Sequence, residues 1–550
     1  MGTLAELLTS LDANERRRGK QFEHICKWFL TNDPVYRGQL RNVWLWDDWP
    51  GRWGADAGID LVAEEQNGRL WAIQSKAYLP EYAITKGDVD TFLSESGRSE
   101  FFFRLLIATT DRIGKTAART LKAQEKPAGC LLLGDLRASA VSWPRSPSDL
   151  RPVKVEPAQP RPHQLEAIAD VVRCLATASR GQMIMACGTG KTLTALFIAE
   201  RLASKRTLVL VPSLALLTDT LREWTGNATT AFDFLPVCSD DTVTGYDDAV
   251  STTTDFGFPV TTEPSEIATF LRRDSGSLVV FATYQSSPRI AEAFRLGGSP
   301  GLDLVIADEA HRCAGRISSD FATVLDSDAI PATWRLFMTA TPRFFTGRLV
   351  KEAREADFEV ASMDDETRFG KVAHRLGFAE AIKRGLLTDY QVVVVGVDDA
   401  TYLDWARRGR FVTINGTTVS DARTVAGQIG LIKAMRRYDL RRTISFHSRV
   451  NRAREFANSV PELVDWVPVD ERPTGQMWSD YASGDMSAGD RSRRLDRLRN
   501  VDGQIRGLLA NARCLGEGVD VPALDGVAFI DPRRSEVDIV QAVGRAIRLA

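Results

Sequence analysis

The sequence has little that marks an exported, membrane-bound or metal-stapled protein. Its seven cysteines, at 26, 130, 174, 187, 238, 313 and 514, form no CxxC pair. That argues against zinc ribbons and against a secreted disulfide framework. The N-terminal stretch MGTLAELLTSLDANERRRGK lacks the charged-then-apolar order of a signal peptide. No apolar run approaches the ~18 residues of a membrane span. Repeats and low-complexity tracts are missing as well, which excludes a solenoid. The formal net charge is only −2, from 70 basic and 72 acidic residues. Any contact with nucleic acid must therefore come from local patches rather than a whole-chain field. What is left is a reduced, cytoplasmic, globular chain. Its 550 residues are 44% hydrophobic and 26% charged, enough for roughly three to four domains.

The clearest boundary is the stretch SWPRSPSDLRPVKVEPAQPRP, residues 142–162. Its prolines exclude a helix or central strand and favour an extended, semi-rigid connector. We assign residues 1–145 to a first domain and 146–160 to a linker. Beyond it, apolar runs alternate with helical patterns: GQMIMA, KTLTALFIAERLAS, TLVLVP, LALLTDTLREW. Short apolar strands between amphipathic helices predict a parallel sheet covered on both faces. QVVVVGV, RTISFH, IRGLLAN and DGVAFID repeat the pattern later. The fold class is α/β, with one lobe over 161–350 and a second over 351–550. The acidic, Thr-rich segment 227–274 reads as a surface insertion in the first lobe.

Ala186-Cys-Gly-Thr-Gly-Lys-Thr192 follows a predicted strand and opens a predicted helix. Gly188, Thr189 and Gly190 let the backbone curl so that its N–H groups face a triphosphate, with the helix N-terminus adding a favourable dipole. Lys191 would pair with the outer phosphates of ATP, and the Thr192 hydroxyl would hold Mg2+. Met185 stands where the strict pattern has glycine, as expected of helicase-like motors. LDLVIA then delivers Asp308-Glu309-Ala310-His311 to a strand end, where ligands of doubly wound sheets collect. Asp308 would complete the Mg2+ shell, Glu309 would orient or deprotonate the attacking water, and His311 would couple the nucleotide to the next lobe.

Further motifs follow in order, and the series resembles the superfamily 2 helicases. Arg161-Pro-His-Gln164 is similar to the entry motif whose Gln reads adenine. Val211-Pro-Ser213 and Ala282-Thr-Tyr-Gln285 resemble the strand-end motifs that grip a nucleic-acid backbone, and Thr339-Ala-Thr-Pro342 the coupling motif. Phe446-His-Ser-Arg449 resembles motif IV, and the stretch from Asn511 through Gly518 to Asp520 resembles motif V. The stretch from Gln541 to Arg548 is similar to motif VI. Arg545 and Arg548 would project from one helical face as arginine fingers. The resemblance implies an ATP-driven nucleic-acid motor of two RecA-like lobes, cut short after motif VI.

In the first domain, Asp60-Leu-Val-Ala and Leu70-Trp-Ala-Ile-Gln74-Ser-Lys76 read as two strands joined by a turn at Gln66-Asn-Gly68. Gln74 and Lys76, two apart, share a face. An acid with a Gln-x-Lys pair suits metal-assisted phosphodiester hydrolysis: Asp60 and Gln74 bind Mg2+, and Lys76 positions the water. Glu23, in the preceding helix, can supply a second carboxylate. Trp44, Trp46, Trp49 and Trp53 read as packing, Arg16–Arg18 as a solvated helix face, and His24 and Cys26 as structural. The arrangement resembles the Mrr-like branch of the PD-(D/E)xK nucleases, in which Gln commonly replaces the acid. FFFRLLIATT would be a further core strand.

An Mrr-like nuclease joined to a superfamily 2 motor resembles the front half of Type ISP, or single-polypeptide Type I, restriction–modification enzymes. That resemblance implies ATP-driven translocation along double-stranded DNA and Mg2+-dependent cleavage. It also implies a methyltransferase and target-recognition region C-terminal to the motor. Two other readings are a DNA-stimulated ATPase whose Mrr-like domain binds without cutting, and an RNA helicase.

Overall fold

Leu40–Leu45 (β1), Leu61–Glu65 (β2) and Leu70–Lys76 (β3) form an antiparallel meander. Phe101–Ala108 (β4) and Ala128–Leu131 (β5) extend it in parallel, giving the order β1-β2-β3-β4-β5. The computed structural model describes residues 2–54, 58–153, 156–239, 252–274, 276–316, 319–345, 360–394, 411–414, 417–484, 486, 488–512, 524–531, 539–540 and 542–544. β4 is almost wholly buried, and so its sequence shows no alternation. Glu15–Asn32 (α1) buries Phe22, Ile25, Cys26 and Phe29, the helical period that seats it on the sheet. Asn14 caps it by accepting from the Arg17 N–H. Trp46 and Trp49 are core residues, and Trp53 stands edge-on to Trp46 at 4.8 Å.

The next sheet has seven strands. They are Arg180–Met185 (β6), Arg206–Val211 (β7), Phe232–Val237 (β8), Ser277–Thr283 (β9), Leu302–Ala307 (β10), Ala332–Thr339 (β11) and Lys371–Leu376 (β12). Their order is β8-β9-β7-β10-β11-β6-β12, and the ladders from β8 to β6 are all parallel. Parallel pairing brings the C-terminal ends of β6, β10 and β11 to one edge, with β11 between the other two. Pro162–Leu175 (α3), Lys191–Arg201 (α4) and Leu214–Asn227 (α5) are among its helices.

The five-stranded domain and this lobe fall in one compact unit, reaching to residue 375; the second unit is chiefly residues 376–550. Within the first unit Arg222 of α5 pairs with Asp135 at 2.9 Å, and Arg69 with Glu266 at 2.9 Å. A Cβ at Gly129 of β5 would lie 2.0 Å from the Phe256 carbonyl oxygen, so the two chains touch backbone to backbone there. Residues 139–161 contain no helix or strand among those described. The second unit carries a parallel sheet of Arg442–His447 (β13), Gln476–Ser483 (β14), Ile505–Ala512 (β15) and Gly526–Phe529 (β16), in the order β14-β15-β13-β16.

Three expectations are corrected. Gln391–Val394 form no strand, and Val392 and Val394 are 77% and 93% exposed. Segment 227–274 is more than a loop. It supplies β8 and the helix Pro264–Leu271, and Pro236 is accommodated because β8 is an edge strand that need not donate on its open side. The first lobe also runs past 350, since β12 completes its sheet.

Candidate functional site

At the end of β6 the chain turns through Gly188 and Gly190 with φ of +82° and +81°, a region that side chains other than glycine rarely enter. Lys191 then starts α4 with Gly190 as its cap. Gln164 of α3 accepts from the Arg161 N–H at 2.8 Å and donates to the Gly190 carbonyl at 3.1 Å. The residue expected to read adenine thus also braces the phosphate loop. A Cβ on Gly190 would meet Gln164 Nε2 at 2.7 Å. Trp224 Nε1 donates to the Thr192 carbonyl at 3.1 Å, fixing the first turn of α4.

Two strands away, β10 delivers Asp308, whose N–H donates to Leu210 O at 2.9 Å. The Tyr284 hydroxyl donates to the Asp308 carbonyl at 2.5 Å. Glu309 adopts φ +48°, ψ +46°, a strained backbone for an acid and of a kind that collects at functional sites. Its Oε1 lies 3.7 Å from Lys191 Nζ and its Oε2 lies 3.4 Å from His311 Nδ1. Burial by itself would raise the Glu309 carboxyl. Lys191, His311 and Arg312 overcome that and hold it at about 2. His311 Nδ1 also meets Thr339 Oγ1 at 3.1 Å, and that hydroxyl accepts from the Thr341 N–H at 3.1 Å. Residues expected from three separate motifs are therefore joined through Lys191, Glu309, His311 and Thr339.

A second constellation lies at the open end of the hairpin. The ladder runs one residue past β2, with the Asp60 N–H donating to Ile73 O at 2.9 Å, which sets Asp60 beside Gln74. Asp60 Oδ2 accepts from the Ser75 N–H at 2.7 Å and from its hydroxyl at 3.2 Å. Burial raises the Asp60 carboxyl, against the pull of Ser75, Lys76 and Lys20. Gln74, 5% exposed, donates through Nε2 to Gly58 O at 3.1 Å. Its Oε1 has no partner among the described residues. Glu23 is buried on α1 and raised, first by burial and then by Asp60, while Lys20 opposes the shift. Lys20 Nζ sits 2.9 Å from Glu23 Oε2.

Lys20 and Ser75 were not anticipated. A lysine three residues before a glutamate on a helix looks like any surface pair, and Ser75 contributes mainly its backbone N–H. Among the described residues, no three His, Cys, Asp or Glu side chains group as a metal site. The buried, unpartnered amide oxygen of Gln74 beside the Asp60 carboxylate still suits a hard cation, which takes carboxylate and amide oxygens alike.

In the second unit, β13 carries the motif IV residues. His447 Nε2 lies 2.9 Å from Ser445 Oγ, and burial pushes its pKa down to about 4. Ser448 donates its N–H and its hydroxyl to Asp531, each at 2.7 Å. Gly518, Asp520, Gln541, Arg545 and Arg548 lie outside the described residues.

Comparison with known proteins agrees domain by domain. Residues 31–150 match the Mrr_cat_2 family of restriction endonucleases, 157–344 match the res subunit of type III restriction enzymes, and 431–550 match the helicase conserved C-terminal domain. The whole chain superposes on the DNA-bound, ATP-dependent Type ISP restriction–modification enzyme LlaBIII with a TM-score of 0.84 and 32% identity, covering 37% of that protein. The probable helicase A859L of African swine fever virus (strain Badajoz 1971 Vero-adapted) is 29% identical over 397 residues, which is 70% of this chain and 39% of the viral protein. The EcoAI endonuclease subunit, a type I restriction enzyme of Escherichia coli, is 26% identical over 269 residues, 48% of this chain and 27% of that subunit. The chain thus spans well under half the length of these relatives. No described helix is long and apolar enough to cross a membrane. The protein carries an Mrr-type restriction-endonuclease domain followed along the chain by helicase-type domains.

Proposed function

We propose that this chain is the nuclease–motor part of a restriction–modification enzyme, a cytoplasmic translocase on double-stranded DNA coupled to a Mg2+-dependent endonuclease. The observation that carries this reading is that both constellations occur in one unit: Lys191 with Glu309 at the strand ends, and Asp60, Gln74 and Lys76 on the hairpin. In this reading a methyltransferase and target-recognition region completes the enzyme.

At the motor site, Lys191 exchanges Glu309 for the outer phosphates of ATP. Glu309, ionised at neutral pH, is then free to orient and deprotonate the attacking water. Thr192 and Asp308 would hold Mg2+, which would supply neutralisation of the phosphate charge. His311 reports the state of Glu309 to Thr339, a short route from hydrolysis to the coupling motif. Arg545 and Arg548 act as arginine fingers, which links hydrolysis to lobe motion. Gly518, Asp520 and Gln541 are assigned to nucleotide binding on the motif resemblance alone, and Arg161 and Gln164 would read the base.

At the hairpin, a divalent ion supplies polarisation of the scissile phosphate, and Asp60 and Gln74 would hold it. Lys76 orients the attacking water, and Ser75 keeps the Asp60 carboxylate in place.

Lys191→Ala is expected to cut ATP hydrolysis by about 100- to 1,000-fold, the scale of losing one preorganised charge donor. Lys76→Ala is expected to reduce DNA cleavage to a similar degree while ATP hydrolysis stays within about twofold. Cleavage retained by purified Lys76→Ala would end the nuclease assignment. Absent nicking by the wild type in Mg2+, with normal DNA-stimulated ATPase, would mean a domain that binds without cutting. Stimulation by RNA but not by duplex DNA would point to an RNA helicase.

A further inference from the structure

The hairpin site holds an even balance of charge. Among the described residues, Glu23 and Asp60 bring two carboxylates, Lys20 and Lys76 bring two ammoniums, and Asp47, within electrostatic reach of Glu23 and Lys20, is offset by Arg52 at 3.1 Å. Gln74 brings a neutral acceptor where an acid would add a further negative charge. A pair of divalent ions clamped on one phosphate relies on several carboxylates to offset their charge. Here the supply is short, and one side of Glu23 is already taken: Lys20 Nζ donates to its Oε2 at 2.9 Å. This pair is unlike an ordinary solvent-exposed one, in which both partners stay in water and contribute little. Glu23 is buried within the electrostatic reach of Asp60, while 62% of the Lys20 side chain remains open. The ammonium is therefore anchored at its inner side and accessible at its outer side, at the mouth of the site. Gln74 adds a buried amide oxygen beside Asp60 that has no partner among the described residues.

Building on the nuclease reading above, we propose that the site works with a single divalent ion, on Asp60 and Gln74, and that the Lys20 ammonium, oriented by Glu23, takes the place of a second cation against a non-bridging oxygen of the scissile phosphate. A compact, strongly hydrated point charge suits that position better than a planar guanidinium would. Phosphate oxygens displace water, not Glu23, from the exposed side of Lys20, so the pair survives substrate binding.

The test uses the nucleotide-free chain. Mn2+ binding is counted by electron paramagnetic resonance in the wild type, Asp60→Ala and Lys20→Met. Binding of a short duplex in Ca2+ is measured across a salt series, and cleavage kinetics are measured in Mg2+. The wild type should bind one more Mn2+ than Asp60→Ala. Lys20→Met should gain a second, weaker ion on the released Glu23. It should also lower the slope of log affinity against log salt by about 0.9, the signature of one lost phosphate contact. Its kcat should fall about 100-fold, with Lys20→Arg recovering part of the loss. A wild type that binds two Mn2+ dependent on Asp60, or a Lys20→Met protein with unchanged salt slope and kcat, would overturn the proposal. Should Lys20→Met not fold, Lys20→Gln carries the same readouts. Cleavage that survives Lys76→Ala would instead defeat the underlying nuclease reading, so the two failures are told apart.

Discussion

Lys191 and Glu309 lie 3.7 Å apart with both side chains nearly closed off from water, whereas Lys20 and Glu23 lie 2.9 Å apart with the lysine largely open. The closer pair has the weaker hold. Glu309 is drawn far below the ordinary carboxylate range because Lys191, His311 and Arg312 surround it. Glu23 and Asp60 rise above that range because burial outweighs one partly solvated ammonium and a few hydrogen bonds. The motor site neutralises the Glu309 charge with its own cations. At the hairpin site burial raises the carboxyls, and on the proposed chemistry a bound cation would lower them. The number and burial of the surrounding charges, more than the distance of one contact, decide which way a carboxyl moves.

The largest expected effect breaks the motor half of that contrast. Gly190→Ala forces a side chain into φ +81° and against Gln164 Nε2 at 2.7 Å. Lys191 is then no longer delivered to Glu309, and ATP hydrolysis should fall by about 100-fold. Steady-state phosphate release checks this, and a rate within twofold of the wild type would show that the turn tolerates a Cβ.

A pH series sharpens the contrast. On the proposed chemistry cleavage needs Asp60 and Glu23 ionised, and their raised values bring protonation on before the ordinary range of about 4 is reached. Glu309 stays ionised down to about 2. Lowering the pH from 7.5 towards 5 should therefore reduce the ratio of cleavage to ATP hydrolysis. The ratio should drop by up to about tenfold per pH unit below the raised carboxyl values. A constant ratio would mean that the two sites titrate alike.

The smallest effect concerns stability, and its sign is the test. Glu309 has a folded-state pKa below its unfolded one. Its ionised form stabilises the fold above the unfolded value, and that gain is lost only as pH falls through about 2. Asp60 is the reverse: with a raised folded-state pKa, its ionisation costs stability, fully so above that raised value. At pH 7.5 in chelator, Asp60→Asn should raise the unfolding midpoint and Glu309→Gln should lower it. Each shift should be on the order of 1 kcal/mol, or about 2 to 4 °C. Two shifts of the same sign in differential scanning fluorimetry would refute the comparison.

Much of this was legible in the sequence, for physical reasons that differ by element. Buried parallel strands such as TLVLVP and RTISFH declare themselves by unbroken apolar runs, and the glycines of the phosphate loop by the backbone they permit. QVVVVGV carries the same signal, yet its described residues, 391–394, join no sheet, because an apolar run says nothing about whether a partner strand is in place. FDFLPV was hidden by its proline and acidic neighbours, which an edge strand tolerates. β12, reading KVAHRL, alternates weakly and pairs far from its place in the chain. The hairpin site was readable at Asp60, Gln74 and Lys76 because strand alternation places them. Lys20 was not, since only the fold shows that its glutamate is buried beside another acid.

The contact at Gly129 carries a lesson about modularity. Phe256 of the motor lobe lies against the nuclease domain where no Cβ fits, and Arg222 reaches across to Asp135 nearby. The Mrr-type domain is therefore no interchangeable head on a tether. A foreign nuclease grafted before residue 160 would need a side-chain-free strand at that point and an acid to meet Arg222. Without them the motor lobe would be left with a bare apolar face and a stranded guanidinium. Heritable exchange of these parts is thus constrained to travel with its docking face.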